Sequence, residues 1–492
     1  MSAWLAIDQS TSATKALLFD AAYTPIDRAA RDHRQLHPAP GRAEHDAEEI
    51  WNNTLEVIRE VAARNPETAI QGLALTNQRE TFVLFERETG TPVAPAVTWQ
   101  CRRGIDVCSE LAEPARDAGM EERTGLRLDT YFPAPKLVQV MRENPALAGR
   151  VQRGEVLFGT IDTYLIYRLT EGRVFATDAT NASRTLLYNI RDRAWDPTLC
   201  TLFGIPIEHL AAVRDCSAAF GETRAGGALD APIPIRGVMG DSQASLLGHS
   251  CTSAGACKVT FGTGSSLMLN IGDQPMPPAG GAVTSLAWIL DGRPAYALEA
   301  LINYSAATLN WLRDQLGIAR DIDELERMAA RVEDNGGVYL VPAFAGLSAP
   351  HWAPRARAAI VGLSAHSERA HIARAAVESI ALQIADAVEI LGHESGVPVA
   401  ALHADGGPTR NRLLMQLTAS LAGVPLRVNR VPDISPLGAL IAGRSGAGEA
   451  PPAQDPDAFE SYTPDLPAGQ VRTIREGWNR AVQQVLAGIP KA

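Results

Sequence analysis

The chain is poor in the residues that mark several classes of protein. Only 6 of its 492 residues are cysteines, and they are scattered, without the tight spacing of a zinc site or the density of a disulfide scaffold. We therefore expect reduced, structural thiols. No run of about 18 uncharged apolar residues is present, so the sequence predicts no membrane span.

Positive charge is also scarce. Lys and Arg total 45 against 56 for Asp and Glu, a net charge of −11, which disfavours a broad electrostatic contact with nucleic acid or an anionic membrane. We expect a small molecule as the partner and no nucleic acid. The opening segment lacks a basic region and reaches an acid at Asp8, too early for a secretory signal, so a cytoplasmic protein is predicted.

Strand and helix patterns alternate along the chain. At roughly 100 to 200 residues per domain, the length predicts about two to four domains. Predicted strands at residues 4–8 and 16–19 flank a small polar turn, and the same order of strand, turn and strand returns at 257–270. Strands that alternate with helices predict an α/β fold.

Several helices can be placed from their patterns. Asp46 is a candidate N-cap for a helix over 47–64 that has one apolar face. A longer, almost wholly apolar helix is predicted over 371–391, with Gly392 as its stop. Shorter helices are expected over 411–422, after a strand at 401–404, and over 436–442.

The turn between the first two strands could bind a phosphate. Phosphoryl transfer needs donors around the phosphates, a metal that spreads their charge, and a carboxylate beside the attacking hydroxyl. The hydroxyl groups of Ser10, Thr11 and Ser12, with the backbone N–H groups of the turn, suit a phosphate. Asp8 suits a Mg²⁺ ion held through water. The alternative is a polar hairpin tip without a ligand.

A second turn between two predicted strands could also bind a phosphate. Gly262 and Gly264 let the backbone approach a ligand, and Thr263 between them adds a donor. By itself this pattern is more often only a turn. Two facing hairpins, however, can hold one polyphosphate between two domains.

Asp241 is the best-placed carboxylate for proton transfer. It follows Gly240 at a predicted strand-to-helix junction, where it could accept or orient the proton of a hydroxyl. An aspartate at such a junction can equally serve only as a helix N-cap.

Arg79 and Glu80 are an adjacent cation and anion at a predicted strand edge. Such a pair can donate to one hydroxyl and accept from its neighbour, but it can also be a solvated surface pair. Trp99 and Tyr131 could supply apolar floors for the carbon face of a polyol, or they could be core residues.

Longer motifs carry a resemblance to a known family. They lie at residues 76–81, 99–103, 177–185, 339–344 and 358–378. A further signature at 131–136 matches, although Gln139 stands where tryptophan is usual. Together with the sites above, these motifs resemble the FGGY carbohydrate kinases, and among them the glycerol kinases, over nearly the whole chain.

The resemblance implies the superfold shared by sugar kinases, actin and heat-shock chaperones. Two ribonuclease H-like domains would flank an ATP cleft. An N-terminal domain over residues 1–247 would hold the acceptor and the first phosphate loop, and a C-terminal domain over 248–492 the nucleotide and the second loop. ATP and Mg²⁺ are the implied cofactors, and a homo-oligomer, dimer or tetramer, stays open.

The resemblance also implies roles for single residues. Asp8 and Asp241 would hold Mg²⁺ through water, and Asp241 would act as the general base. Asn310 stands where the family has glutamine. The implied ATP contacts are Ser10, Thr11, Ser12, Gly262, Thr263, Asn310, Gly407 and Asn411.

The implied acceptor pocket departs from the family at two positions. Ser242 replaces a glutamine, and Ser266 replaces a phenylalanine that would close the pocket over the carbon chain. Both changes remove bulk, which leaves room for a longer acceptor. The implied acceptor contacts are Arg79, Glu80, Trp99, Tyr131, Asp241 and Ser242.

Three functions follow from these residues. The first is ATP-dependent phosphorylation of glycerol to glycerol 3-phosphate. The second is a kinase for a four- or five-carbon polyol or ketose, such as erythritol, xylulose or ribulose. The third is a non-kinase ATP-binding protein of the same superfold. Asp241 and the Arg79–Glu80 pair disfavour it, because an ATPase that acts on a protein partner has no need of residues that bind two neighbouring hydroxyls.

Overall fold

The computed structural model describes residues 2–489 except 278, 279, 348, 350, 354, 432 and 453–457. Strands and helices alternate in the first half of the chain. Its strands are β1 Ser2–Gln9, β2 Ala13–Asp20, β3 Pro25–Asp32, β4 Glu44–His45, β5 Ala69–Asn77, β6 Phe82–Glu86, β7 Ala96–Val97, β8 Val156–Thr160, β9 Ala176–Asp178, β10 Tyr188–Asn189, β11 Ala194–Trp195, β12 Ala212–Arg214, β13 Ala219–Thr223 and β14 Ile233–Gly240. Its helices are α1 Ala47–Arg64, α2 Ile105–Glu110, α3 Ala112–Asp117, α4 Met120–Thr124, α5 Pro133–Glu143, α6 Pro145–Gln152, α7 Ile161–Leu169, α8 Ala179–Ala182, α9 Pro197–Phe203 and α10 Asp241–Gly248.

The second half follows α10. Its strands are β15 Ala256–Phe261, β16 Ser265–Gly272, β17 Val283–Leu290, β18 Arg293–Ile302, β19 Tyr339–Val341, β20 Ala359–Val361, β21 Ala401–Asp405, β22 Leu426–Asn429 and β23 Phe459–Tyr462. Its helices are α11 Ala307–Asp314, α12 Ile322–Ala329, α13 Arg369–Ser395, α14 Arg412–Ala422, α15 Ile434–Gly446 and α16 Ala468–Ala487.

A six-stranded sheet organises the first half, in the order β13-β14-β5-β1-β2-β3. β14, β5 and β1 are parallel, and β2 and β3 continue the sheet as an antiparallel meander. In register, Asp8 pairs with Thr76, and Asn77 pairs with both Gln9 and Gly240. Because the carboxyl ends of parallel strands meet at one edge, the segments after β1, β5 and β14 lie side by side.

The second sheet repeats this plan. Its seven strands have the order β17-β18-β16-β15-β21-β22-β23. β15, β21 and β22 are parallel, while β16 and β18 form the antiparallel meander on the other side of β15. The repeat predicted from two hairpins is therefore confirmed at the level of whole sheets, and the segments after β15 and β21 share an edge.

Helix α1 has the predicted bounds. Asp46 caps it, because its side chain accepts hydrogen bonds from the backbone N–H groups of Glu48 at 2.9 Å and Glu49 at 3.2 Å. Its apolar face packs against β2 and β3, with Ile50 and Ile58 fully buried. The Asp46 N-cap and the apolar periodicity are therefore sufficient to predict the bounds of this helix from the sequence.

Helix α13 corrects one prediction. It passes through Gly392, where the sequence predicts its stop, and ends at Gly396, which has a φ of 65°. A glycine inside a helix costs only about 1 kcal/mol relative to alanine. The turn beyond Gly392 is held by tertiary contacts, because Glu394 accepts from the backbone N–H groups of Gly281 at 2.6 Å and Ala282 at 3.2 Å, so the helix continues.

Helices α10 and α15 join the two halves. α15 belongs to the second half of the chain, yet it packs against α10 and against β14, β5 and β1 of the first sheet. Gly438 permits this contact, because a Cβ at that position would lie 1.8 Å from the carbonyl oxygen of Ala244. The domain boundary predicted at Leu247 falls within α10 and stays a prediction.

All six cysteines are free, and five of them are buried, in keeping with the expected structural thiols. Within the described ranges, no helix has the length and apolar character that crossing a membrane requires.

Candidate active site

Two sheet edges bring the site residues predicted from the sequence towards one another. The segments after β1, β5 and β14 contribute Asp8, Arg79 and Asp241, and the segments after β15 and β21 contribute the second turn and Gly407. The two edges are in contact, because Arg79 donates to Glu299 of the second sheet at 2.7 Å and Ser245 on α10 donates to Asp405 at the end of β21 at 2.7 Å. The two edges therefore enclose one cleft.

Asp8 lies at the end of β1 with only 7% of its surface exposed. Lys15 donates from Nζ to Asp8 Oδ2 at 3.1 Å and to Asp433 Oδ1 at 3.0 Å. Burial raises the pKa of Asp8, and the charge of Lys15 opposes that rise. The sequence reasoning missed Lys15, whose signal is a lone cation within the apolar strand β2.

The first turn is shorter than predicted, because β1 and β2 extend to Gln9 and Ala13. Ser10 closes the turn, with its backbone N–H and its hydroxyl both donating to the carbonyl of Ala13, at 2.9 and 3.0 Å. The hydroxyl of Ser10 is thus used within the turn itself, while Ser12 is exposed.

The second turn is held from behind by residues 302–306. Ser305 donates its backbone N–H to the carbonyl of Thr263 at 2.8 Å, and Ala306 donates to that of Gly262 at 3.1 Å. A Cβ on Gly264 would lie 2.4 Å from the carbonyl oxygen of Ile302, so glycine is required there. Thr263, at the tip of this loop, is exposed.

Asp241 is not the N-cap of its helix. Gly240 is the N-cap of α10, and Asp241 is the first helical residue, with 35% of its side chain exposed. Its Oδ1 accepts from the backbone N–H of Ser242 at 2.6 Å and lies 3.4 Å from Arg79 Nε. Burial raises the pKa of Asp241, while the charges of Arg79 and Lys258 lower it. The carboxylate is therefore open to the cleft and close to a fixed cation.

Arg79 and Glu80 are buried, with 5% and 1% of their surfaces exposed, so the alternative of a solvated surface pair is wrong. Arg79 donates to both carboxylate oxygens of Glu299 at 2.7 and 3.2 Å. Arg184 donates from Nε to Glu80 Oε1 at 2.5 Å and lies 2.8 Å from Glu299 Oε2. The two arginines and two glutamates form one ionic cluster, which we call the cross-sheet cluster.

Trp99 and Tyr131 form a half-buried aromatic pair, with ring centroids 5.5 Å apart. Neither is a fully buried core residue. The indole N–H of Trp99 donates to Thr11 Oγ1 at 3.0 Å, which ties the predicted acceptor floor to the first turn.

The predicted nucleotide contacts differ in their surroundings. Asn310 and Gly407 are exposed, and a Cβ on Gly407 would meet nothing within 4 Å. Asn411 is buried and caps α14, accepting from the backbone N–H of Leu414 at 2.9 Å. Gly406 has a φ of 100°, and a Cβ there would lie 1.9 Å from the carbonyl oxygen of Phe261.

Three buried charged groups of the second sheet also escaped the sequence reasoning. Lys258 on β15 donates to Thr260 Oγ1 at 3.0 Å. Asp405 at the end of β21 accepts from Ser245 Oγ on α10 at 2.7 Å and contacts Nε2 of His249, the residue that follows α10, at 3.0 Å. The third group is Glu299. Each is a lone charge in an apolar strand, which is the signal that could have revealed it.

Comparison with known proteins identifies the family. The model of the N-terminal domain of the FGGY family of carbohydrate kinases matches residues 3–248, and that of the C-terminal domain matches residues 257–447. The chain belongs to the FGGY family of carbohydrate kinases. The predicted family is therefore confirmed, and with it the prediction of a kinase over that of a non-kinase ATP-binding protein.

Glycerol kinases are among its relatives. A glycerol kinase of Thermus brockianus is 44% identical over 486 residues, which cover 98% of each chain. Glycerol kinase 1 of Thermotoga maritima is 41% identical over 488 residues, 98% of this chain and 99% of the relative.

Solved structures share the fold. A glycerol kinase of Plasmodium falciparum with ADP superposes with a TM-score of 0.91 at 30% identity, covering 99% of this chain and 98% of that one. A xylulose kinase of Lactobacillus acidophilus, at 20% identity and a TM-score of 0.88, covers 99% of both chains and shows the fold alone. The predicted two-domain α/β sugar kinase fold is confirmed.

Proposed function

We propose that this FGGY kinase transfers the γ-phosphoryl group of ATP to a terminal hydroxyl of glycerol, forming glycerol 3-phosphate. The observation that carries the proposal is Asp241, a cleft-facing carboxylate held 3.4 Å from the buried guanidinium of Arg79. The full-length similarity to glycerol kinases, at 41 to 44% identity for the two described above, supports glycerol as the acceptor.

In this proposal Asp241 is the general base. Its carboxylate accepts the proton of the acceptor hydroxyl as the oxygen attacks the γ-phosphorus. Burial raises the pKa of Asp241, which makes the carboxylate a better proton acceptor, while Arg79 and Lys258 keep it ionised. Asp241 is the first residue of α10, and 35% of its side chain is exposed and thus open to a ligand.

The acceptor would lie against the aromatic pair and the cross-sheet cluster. Trp99 and Tyr131 give an apolar surface for the carbon chain, and Arg79 and Glu80 provide a donor and an acceptor for neighbouring hydroxyls. Ser242, half-buried beside Asp241, completes the proposed pocket.

ATP would bind between the two turns. The first turn offers Ser10, Thr11 and Ser12, with Lys15 as the nearby cation. The second turn offers Gly262 and the exposed Thr263, and Asn310, Gly407 and Asn411 would contact the nucleoside. Facing backbone N–H groups suit a polyphosphate, because they supply donors without the cost of ordering side chains.

Mg²⁺ is the proposed metal, with Asp8 and Asp241 as its protein ligands through water. Within the described ranges, no three acidic, histidine or cysteine side chains could hold a metal on their own. Two carboxylates in one cleft fit Mg²⁺, which usually keeps several waters and takes one or two carboxylates besides the phosphates. When bound, the metal would neutralise charge on the transferred phosphoryl group.

A longer acceptor is the second candidate. Ser266, where a phenylalanine would close the pocket, is half-buried, and its hydroxyl donates to Glu299 Oε1 at 3.0 Å. A serine takes up less room than a phenylalanine, which favours a four- or five-carbon polyol or ketose, such as erythritol, xylulose or ribulose.

A substrate panel tests the proposal. Coupled ADP release should be measured with glycerol, dihydroxyacetone, erythritol, xylitol, D-xylulose and D-ribulose under the same conditions. We expect the highest kcat/KM with glycerol. A kcat/KM about tenfold higher with another acceptor would replace glycerol by that compound.

We also propose that the enzyme is cytoplasmic and that a dimer or a tetramer is its assembly. Cell fractionation tests the first statement. Light scattering coupled to size-exclusion chromatography tests the second, and a monomeric mass at working concentrations would overturn it.

A further inference from the structure

Glu299 sits where the two sheets meet, and none of the roles proposed above accounts for it. It lies in β18 of the second sheet, yet the arginines that contact its carboxylate, Arg79 and Arg184, belong to the first half of the chain. Its side chain is fully buried. A carboxylate buried so completely is stabilised only by close cations and donors.

Both carboxylate oxygens of Glu299 have close partners. Arg79 binds both of its oxygens in a fork, Arg184 Nη1 lies 2.8 Å from Oε2, and Ser266 Oγ donates to Oε1 at 3.0 Å. Burial disfavours the charged form, but Arg184 and Arg79 lower the pKa of Glu299 to about 2. The carboxylate is therefore ionised at every pH at which the enzyme would be assayed.

The fork fixes the direction of the Arg79 guanidinium. A planar guanidinium bound through both terminal nitrogens can turn very little. Nη1 also donates to Gln243 Oε1 at 3.4 Å, and Nε then faces Asp241 Oδ1, 3.4 Å away. The orientation of the cation beside the proposed base is thus set by a residue of the opposite sheet.

We infer that Glu299 is a positioning residue of the acceptor site: its bidentate contact with Arg79 holds the guanidinium against Asp241, and it does so only while the two sheets are packed together. Glu299 touches no proposed ligand and acts through Arg79. The inference rests on the proposed function, because it assigns Arg79 and Asp241 to the acceptor pocket. It adds that formation of this pocket requires a side chain from the other half of the chain.

The decisive variant is Glu299→Gln, which keeps the shape and removes the charge. An amide presents an N–H₂ group to the guanidinium groups, so one of the two hydrogen bonds from Arg79 is lost. Arg79 and Arg184 also lose the negative charge of Glu299. We expect kcat/KM for the acceptor to fall about 10- to 100-fold, as for misplaced catalytic groups, and the KM for ATP to change less than about threefold.

The split between the kinetic constants separates positioning from general damage. A merely structural loss lowers the amount of active enzyme and affects both substrates alike, whereas displacement of the Arg79 guanidinium weakens the acceptor side alone. In Glu299→Gln, kcat/KM for the acceptor should therefore fall while the KM for ATP stays within about threefold of the wild-type value. Glu299→Asp keeps the charge but shortens the reach, so it should show the same split with a smaller loss.

Glu378→Gln is the matched control. Glu378 is as buried as Glu299 and pairs with Arg374 at 2.6 Å, but both residues lie on α13, so this pair does not join the two halves of the chain. We expect a similar loss of thermal stability and unchanged KM values for the acceptor and for ATP. If Glu299→Gln behaves like this control, Glu299 is only structural and the inference is wrong.

A crystal structure of Glu299→Gln gives a readout that needs no activity. We expect the Arg79 guanidinium to leave its position beside Asp241, whereas an unmoved guanidinium would overturn the inference. The kinetic arms use whichever acceptor the wild type phosphorylates best, so failure of glycerol as substrate leaves this test intact. If Glu299→Gln does not fold, Glu299→Asp carries both the structural and the kinetic test.

Discussion

The two sheet edges that enclose the cleft have different chemistry. The first edge carries charged side chains, among them Asp8, Lys15 and Asp241, which contact one another or influence one another's pKa values. The second edge presents mainly backbone, through the turn at 262–264 and the glycines at 406 and 407. Its buried carboxylates Glu299 and Asp405 contact residues of the other half, Arg79 and Ser245.

This difference indicates a division of work between the halves. Charged groups that move or stabilise protons must reach the reacting atoms, whereas polyphosphate can be bound by fixed backbone donors. Variants of the first edge should therefore change turnover and acceptor binding, and variants of the second edge should change stability and nucleotide binding.

Asp241→Asn should have the largest effect. The amide keeps the shape but cannot accept the proton, so kcat should fall about 10² to 10⁴-fold, while ATP binding measured by calorimetry is retained. A variant within a factor of about two of the wild-type rate would remove Asp241 as the base.

Gly406→Ala tests the second edge. The positive φ and the 1.9 Å approach to the carbonyl of Phe261 would strain the backbone, and strain of about 1 to 3 kcal/mol corresponds to a loss of about 2 to 10 °C in Tm. Gly407→Ala is the control, since its Cβ would meet no atom within 4 Å.

The control should keep its Tm, so that any change appears in the affinity for ATP alone. Thermal denaturation gives the Tm of both variants. Equal losses of Tm would contradict the idea that Gly406 supports the backbone while Gly407 faces the ligand.

Arg79→Gln should affect the acceptor more than the nucleotide. We expect a rise of about tenfold or more in the acceptor KM and less than about threefold in the ATP KM. Because the charge of Arg79 lowers the pKa of Asp241, its removal should raise that pKa and move the acid limb of kcat/KM to higher pH. Parallel changes in both KM values would place Arg79 outside the acceptor pocket.

Ser266→Phe should have the smallest effect, on selectivity. Filling the space beside Glu299 should lower kcat/KM for xylitol or D-xylulose relative to glycerol by about 3- to 10-fold, in line with the loss of one hydrogen bond and added bulk. Ser266→Ala, which removes only the hydroxyl bond to Glu299, is the control for the lost contact. An unchanged ratio in the phenylalanine variant would show that residue 266 does not limit acceptor length.

Local signals explain why much of the fold could be predicted. The helix α1 follows from Asp46 and one apolar face, and both hairpins follow from apolar runs that flank small polar turns. Gly392 misled the sequence reasoning because a glycine need not end a helix that has tertiary contacts beyond it, and Glu394, two residues further on, accepts hydrogen bonds from the backbone of Gly281 and Ala282.

The site was predictable where its residues lie next to turns. Asp8, Arg79, Glu80 and Asp241 each adjoin the end of a strand, and the family motifs carry most of them. Whether the Arg79–Glu80 pair lay on the surface or in the interior was undecided by the sequence. Its burial depends on Arg184 and Glu299, which lie about 100 to 220 residues further along the chain.

The sequence by itself determined the elements, the family and the positions of the two turns, because these depend on periodicity, capping and motifs within short segments. Only the tertiary structure decided that Glu299 of the second sheet neutralises Arg79 and Arg184 of the first half. A buried charge needs a partner, but no local pattern says which one, because the choice is made when the two sheets pack together.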